Sequence, residues 1–168
     1  IEVVGSSLFK GSQHTIQTDK NEVVFFGLSA LVTGGTVTIK NVDKLSISAF
    51  LSVLNNFGAN YEFEGSDLTV WHGGGKYSPV EVTSGPAPGF ITDWMPALCV
   101  LATQAEGTSS LSESVYTDSW DYIRDLNRMG ADITLEAPSE TSVEPLDNAD
   151  FSASSSTPAV SSSFTQAS

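Results

Sequence analysis

Residues 57–64 have the sequence Phe-Gly-Ala-Asn-Tyr-Glu-Phe-Glu, and residues 129–136 have the related sequence Met-Gly-Ala-Asp-Ile-Thr-Leu-Glu. A second matching pair, Thr18-Asp19 and Thr92-Asp93, lies at nearly the same spacing. The two copies are therefore offset by about 73 residues, and self-similarity at a fixed period dictates architecture. We predict that the chain uses one supersecondary unit twice.

Hydrophobic periodicity predicts the order of the elements in the first copy. An apolar helix is expected to begin at Asp19 and to end at Gly34-Gly35, followed by an alternating strand over residues 36–40. A second, amphipathic helix follows, with Asp43 as its expected cap and Gly58 as its end. The pattern indicates two helices separated by a half-buried strand.

The rest of the first copy and the whole of the second complete the unit. A hairpin turn is predicted at residues 65–67, and the second copy begins with a helix over residues 93–105. The predicted unit is β-α-β-α-β-β, which indicates an α/β fold of the mixed α+β kind, with sheet packed against helices. We assign one repeat domain to residues 1–136, with units of about 1–75 and 76–136.

The last part of the chain departs from this pattern. Residues 137–168 carry acidic side chains without a basic one, and then mostly Ser, Thr and Ala. Such a segment buries too little apolar surface to offset the entropy lost on ordering. We expect a solvated, disordered tail or a linker to further sequence.

Composition excludes several classes of function. Among 168 residues there are 7 Lys and Arg against 20 Asp and Glu, a formal charge of −13, and the basic residues are scattered. This argues against a nucleic-acid interface and a polybasic membrane patch. The apolar runs are shorter than the roughly 20 residues of a membrane span. One cysteine excludes an internal disulfide, and His14 and His72 have no third ligand at zinc spacing.

Asp93 has two interpretations from its surroundings. It follows the rigid Gly-Pro-Ala-Pro-Gly stretch at residues 85–89 and lies between Phe90 and Trp94. A carboxylate at the start of a helix is commonly a structural cap, and Asp19 has the same interpretation. The aromatic and rigid setting of Asp93 also suits a general base in a partly dry cleft.

Two further features have structural interpretations. The Gly-Gly-Gly-Lys stretch at residues 73–76 lacks the spacing of a phosphate-binding loop and is predicted to form a hairpin turn. Cys99 lies within an apolar helix and is predicted to be a buried small residue rather than a nucleophile.

Four segments carry a family resemblance. They are residues 89–94 (Gly-Phe-Ile-Thr-Asp-Trp), 105–108 (Ala-Glu-Gly-Thr), 113–116 (Glu-Ser-Val-Tyr) and 126–132 (Leu-Asn-Arg-Met-Gly-Ala-Asp). Together they resemble the UDP-N-acetylglucosamine 1-carboxyvinyltransferases of the enolpyruvyl transferase family, over about residues 1–136. The resemblance implies that the repeats form part of an inverse α/β barrel domain.

The resemblance also implies an activity. The family transfers the enolpyruvyl group of phosphoenolpyruvate to the 3′-hydroxyl of UDP-N-acetylglucosamine and releases phosphate, without a metal or organic cofactor. It implies a cytoplasmic enzyme of peptidoglycan precursor synthesis, and hence of cell wall biogenesis, cell shape and cell division. By resemblance, Asp93 is the catalytic aspartate that contacts the sugar hydroxyl, the Val115 backbone touches the sugar nucleotide, and Lys20 replaces a substrate-side arginine.

Three positions differ from the family pattern. They are Lys20 in place of arginine, Thr117-Asp118-Ser119 in place of Glu-Asn-Arg, and Met95-Pro96 where a glutamine is usual. The family's phosphoenolpyruvate-binding cations and its loop cysteine have no counterpart in this chain. We therefore expect one incomplete part of an enzyme, inactive in isolation. The alternatives are a degenerate, non-catalytic repeat module with a binding or assembly role, and an unrelated enzyme that uses Asp93.

Overall fold

The computed structural model describes residues 1–5, 11–116 and 118–135, together with the backbone of residues 160–164. Helices are separated by one or more strands along the chain, with a 3-10 turn at Thr92–Trp94 between β4 and α3. The elements are α1 (Lys20–Val32), β1 (Thr36–Ile39), α2 (Ser48–Phe57), β2 (Asn60–Glu64), β3 (Asp67–Trp71), β4 (Glu81–Thr83), α3 (Met95–Ala102), β5 (Ser109–Glu113), α4 (Asp121–Arg128), β6 (Ile133–Leu135) and β7 (Val160–Phe164).

The strand order supports the predicted repeat. The first sheet has the order β1-β3-β2, and the second has the order β4-β5-β7-β6. Val37 pairs with Val70 in the first sheet, and Ser109 pairs with Phe164 at the equivalent place in the second, since Val70 also pairs with Tyr61 and Phe164 with Ile133. Both pairings are antiparallel, whereas β4 pairs with β5 in parallel. The two units therefore share strand order and register.

Part of the segment expected to form a tail is a strand. Residues 160–164 form β7, which lies between β5 and β6 as β3 lies between β1 and β2. Three consecutive serines give no alternating apolar pattern, so periodicity could not detect this strand. Residues 136–159 and 165–168 lie outside the described residues, and the expectation of a tail or linker stays a prediction for them.

Three helix ends match signals in the sequence. Asp19 accepts a hydrogen bond from the Asn21 N–H at 2.7 Å, which confirms it as the cap of α1. After α2 the chain reverses at Gly58 with φ of 79°, and after α4 it reverses at Gly130 with φ of 102°. In both reversals the next alanine donates to a carbonyl in the last helical turn, at 3.0 and 3.1 Å.

Two local predictions are wrong. Asp43 does not cap α2, because its carboxylate accepts a backbone bond in a turn that precedes the helix start at Ser48. Residues 73–76 do not form a hairpin turn, because β3 and β4 are not paired with each other. The segment instead leads to Tyr77, which forms a parallel bridge with Ala105 of the second unit.

One apolar cluster joins the two units. The helices α1 and α3 pack against each other, as predicted from their apolar runs, although Phe25 and Phe26 of α1 remain exposed. At the junction, the buried Tyr77 hydroxyl donates to the Leu31 carbonyl at 3.2 Å and lies 2.5 Å from His72 Nδ1. Among the described residues, no helix combines the length and the apolar character that crossing a bilayer requires.

Candidate functional site

A closed loop leads into the turn that carries Asp93. The Gly85 N–H donates to the Phe90 carbonyl at 2.8 Å, and the Gly89 N–H donates to the Pro86 carbonyl at 2.8 Å. A Cβ atom at Gly89 would lie 2.9 Å from the Pro86 carbonyl oxygen, which is closer than real contacts allow. Glycine is therefore required for the loop to close onto this turn.

The start of α3 differs from the prediction. The helix was expected from Asp93, but a 3-10 turn occupies Thr92–Trp94 and the α-helix begins at Met95. Pro96 has no N–H to donate to the Thr92 carbonyl, which accepts from Met95 instead. Asp93 is exposed and forms no hydrogen bond or ion pair with any described residue, so it is not a cap.

The Asp93 turn borders a pocket of about 160 Å³. Carboxylates and hydroxyls from the turn, from the end of β5 and from the start of α4 line it together with apolar side chains. None of the lining residues that the structure describes is Lys or Arg, so the chemistry suits a hydroxyl-bearing group better than a phosphate. The lining residues are Thr92, Asp93, Met95, Pro96, Glu113, Ser119, Trp120 and Tyr122.

Trp120 contributes an unused donor to this region. Its side chain is 7% exposed, and within the described ranges its Nε1 has no hydrogen-bond partner. Trp120 lines the Asp93 pocket and also a groove of about 880 Å³ along α4 and β6, which Asp93 does not border. A buried N–H without a partner is costly, and a ligand acceptor would remove that cost.

Lys20 lies beside the Asp93 turn although it belongs to the other unit. Trp94 is 1% exposed, stacks edge-on against Phe90 at 5.2 Å, and donates through Nε1 to Asn21 Oδ1 at 2.9 Å. The Lys20 ammonium is 6.0 Å from the centre of the Trp94 ring. The start of α1 and the Asp93 turn are thus held together through one buried tryptophan.

Glu113, at the end of β5, connects the parts of the site. It is 2% exposed, and its Oε1 accepts from Thr92 Oγ1 at 2.9 Å, from the Val115 N–H at 2.8 Å and from the Tyr116 N–H at 3.2 Å. The Ser84 hydroxyl also donates to Oε1. Sequence reasoning used Glu113 only as part of a motif; the signal it missed is a glutamate at an inward position of an alternating strand.

Val115 follows β5 in an exposed loop. Its side chain is 44% exposed and its N–H is already bonded to Glu113. The carbonyl is therefore the backbone group of Val115 that is left for a ligand.

Cys99 is buried as predicted. Burial raises the pKa of its thiol to about 12, and its Sγ lies 3.3 Å from the Tyr122 hydroxyl. Burial also raises the pKa of Tyr122. A neutral, enclosed thiol is a poor nucleophile, so Cys99 contributes packing rather than chemistry.

The comparisons with known proteins agree with this architecture. The family model for EPSP synthase (3-phosphoshikimate 1-carboxyvinyltransferase) matches residues 1–156. The chain belongs to the EPSP synthase family. This family includes relatives named UDP-N-acetylglucosamine 1-carboxyvinyltransferase, from Azorhizobium caulinodans (32% identical over 136 residues) and Chlamydia abortus (32% over 135 residues). The matches cover 81% and 80% of this chain, but 32% and 30% of the relatives, so the chain spans about a third of their length.

Two solved enzyme structures share the fold. The enolpyruvyl transferase NikO from Streptomyces tendae matches with a TM-score of 0.68 at 17% identity, over 90% of this chain and 31% of that one. EPSP synthase from Acinetobacter baumannii matches with a TM-score of 0.52 at 22% identity, over 71% and 30%. The predicted mixed α/β class and the family resemblance are confirmed.

Proposed function

We propose that this chain is one part of an enzyme that transfers the enolpyruvyl group of phosphoenolpyruvate to the 3′-hydroxyl of UDP-N-acetylglucosamine. The setting is peptidoglycan precursor synthesis in the cytoplasm. Asp93 contacts the sugar hydroxyl and moves its proton, the Val115 carbonyl contacts the sugar nucleotide, and Lys20 supplies a positive charge on the substrate side. The named relatives support this choice of acceptor.

The observation that carries the proposal is the state of the Asp93 carboxylate. It lies on a rigid turn, borders a pocket of about 160 Å³, and is bonded to no described residue. A general base must reach the proton it removes at a heavy-atom distance of about 2.6–3.2 Å, and a carboxylate already used as a cap would not be available. Asp93 is available for that contact.

The charges in the pocket explain why the chain needs the rest of an enzyme. Both substrates carry phosphate groups, yet the described lining of the pocket has two carboxylates, Asp93 and Glu113, and lacks Lys and Arg. Developing negative charge on a leaving phosphate needs fixed positive groups. We assign those groups to sequence that the relatives have and this chain lacks.

The test is a chimera in which residues 1–135 replace the matching third of the Azorhizobium caulinodans relative, assayed for phosphate release from both substrates. We expect turnover that falls by about 10²–10⁴ in the chimera with Asp93→Asn, the usual contribution of a positioned acid or base. The melting temperature should be nearly unchanged, because the Asp93 side chain bonds to no described residue. A folded chimera without turnover, or equal rates for both forms, contradicts the proposal.

A non-catalytic binding or assembly module is the second candidate, and one observation favours it. Ser119 lines the pocket at the position where the resemblance places an arginine. The Ser119→Arg chimera separates the two: a module that has lost catalysis through this position would gain turnover with arginine, whereas an active site already complete would not need it.

A further inference from the structure

The carboxylate of Glu113 is a point where three separate segments meet. Its Oε1 accepts from Ser84 after β4, from Thr92 in the 3-10 turn, and from the backbone of Val115 and Tyr116 after β5. The side chain is 2% exposed. A charge buried to that degree persists only when donors surround it, and hydrogen bonds to an ionised acceptor are the strong ones.

Ser84 reinforces this arrangement from the other side. Its hydroxyl oxygen accepts from the Ser114 N–H at 3.0 Å while donating to Glu113. The Ser84 carbonyl accepts from the Ser114 hydroxyl at 2.5 Å, and the Ser84 N–H donates to the Ser112 carbonyl at 2.8 Å. The loop after β5 is therefore fixed at several points around one carboxylate.

The repeat shows that the fold itself does not need this carboxylate. Val37 pairs with Val70 as Ser109 pairs with Phe164, and this register aligns Asn41 with Glu113. Asn41 is exposed, and its backbone N–H donates to Asp67 Oδ1 at 3.3 Å. The same unit thus forms with a surface asparagine at this position, and the buried glutamate belongs to the copy that carries Asp93.

We infer that Glu113 is a positioning residue that holds the Asp93 turn and the Val115 loop at a fixed separation. This inference rests on the proposed function, because it assigns Glu113 to the same acceptor site. Thr92, which precedes Asp93, and Val115 are bonded to the same oxygen atom, so neither segment moves without the other. Glu113 acts through Asp93 and Val115 and takes no proton in the reaction.

The test uses the full chain with Glu113→Gln, which keeps the shape and removes the charge. In ¹⁵N-labelled protein we expect the Val115 and Tyr116 amide signals to shift and their exchange with solvent to accelerate at least tenfold. In the chimera described above, Glu113→Gln should lower the affinity for UDP-N-acetylglucosamine, followed by amide shifts in a titration, at least tenfold. Glu81→Gln is the matched control, because Glu81 is exposed on β4, and it should change neither quantity.

Thr92→Val separates positioning from general loss of packing. It removes one donor to Glu113 and keeps the side-chain volume, so in the chimera it should alter the ligand-induced shift of the Asp93 amide and leave Val115 as before. Glu113→Gln should alter both. Unchanged Val115 and Tyr116 amides, or equal affinity of the chimera with and without Glu113→Gln, overturn the inference alone. A folded chimera that does not bind the sugar nucleotide at millimolar concentration overturns it together with the proposed function.

Discussion

The buried side chains of Cys99 and Tyr77 make the stability of the chain sensitive to alkaline pH. Burial raises the pKa of the Cys99 thiol from 9.0 to about 12, and it also raises the pKa of Tyr77 above 10.0. The folded state therefore holds these protons more tightly than the unfolded state does. Their contribution to stability is complete below about pH 9 and is lost as the pH rises toward 12.

We expect the urea midpoint to fall between pH 8 and pH 10.5, and to fall less steeply in Cys99→Ala, whose side chain does not titrate. Fluorescence of the buried Trp94 reports the transition. The smaller alanine side chain lowers stability by the same amount at every pH. Comparing how steeply the urea midpoint falls with pH in the two proteins therefore isolates the effect of thiol titration. Equal slopes for the two proteins would contradict a raised thiol pKa.

Asp93 and Glu113 differ in how far sequence alone identifies them. The motif around Asp93 marks it directly, because a short peptide pattern carries both the turn and the carboxylate. The role of Glu113 depends on donors from positions as distant as Ser84, and those meet only when β4 and β5 pair. Local sequence thus predicts the residue proposed to contact the ligand and misses the residue proposed to position it.

At the scale of the elements, the chain reversals after α2 and α4 occupy equivalent places in the two units, so the same substitution should have the same effect in both. Gly58 and Gly130 have positive φ, and a Cβ atom at either position would contact nothing within 4 Å. Alanine there is disfavoured by backbone conformation alone, so we expect Gly58→Ala and Gly130→Ala each to lower the free energy of unfolding by about 1 kcal/mol. Urea denaturation measures this.

Gly75→Ala is the control for these variants. Gly75 also has open space around it, but it lies outside the positive φ region. Alanine there should be neutral or slightly stabilising, because it restricts the unfolded chain. A loss at Gly75 equal to that at Gly58 would show that conformation at the helix ends is not the cause.

The periods of the sequence predicted most elements, and the exceptions have specific causes. The α-helix α3 begins later than predicted because Pro96 lacks a backbone N–H. Hydrophobic periodicity is a property of many residues and does not register the effect of one proline. The strand at residues 160–164 was missed, because serines carry no hydrophobic signal. The position of this strand in the sheet is set by backbone pairing with β5 and β6, and hydrophobic periodicity does not predict which strands pair.

For the whole molecule, the charge balance predicts the behaviour of the isolated chain. With 7 Lys and Arg against 20 Asp and Glu, it has few cations to hold two phosphate-bearing substrates. We expect no phosphate release above a control without protein when the chain alone meets phosphoenolpyruvate and UDP-N-acetylglucosamine. Turnover well above that control would mean that the site needs no further sequence.

The two hairpins have connections of very different length, and this bears on the order in which the molecule folds. Residues 65–66 join β2 to β3, whereas residues 136–159 join β6 to β7. Each doubling of the length of a loop adds about 0.6 kcal/mol to the entropic free energy of closing it. Bringing β6 and β7 together from the unfolded chain therefore costs about 2 kcal/mol more than bringing β2 and β3 together. Since β6 joins its sheet through β7, we expect the first unit to assemble early and to serve as the surface on which the second unit nucleates.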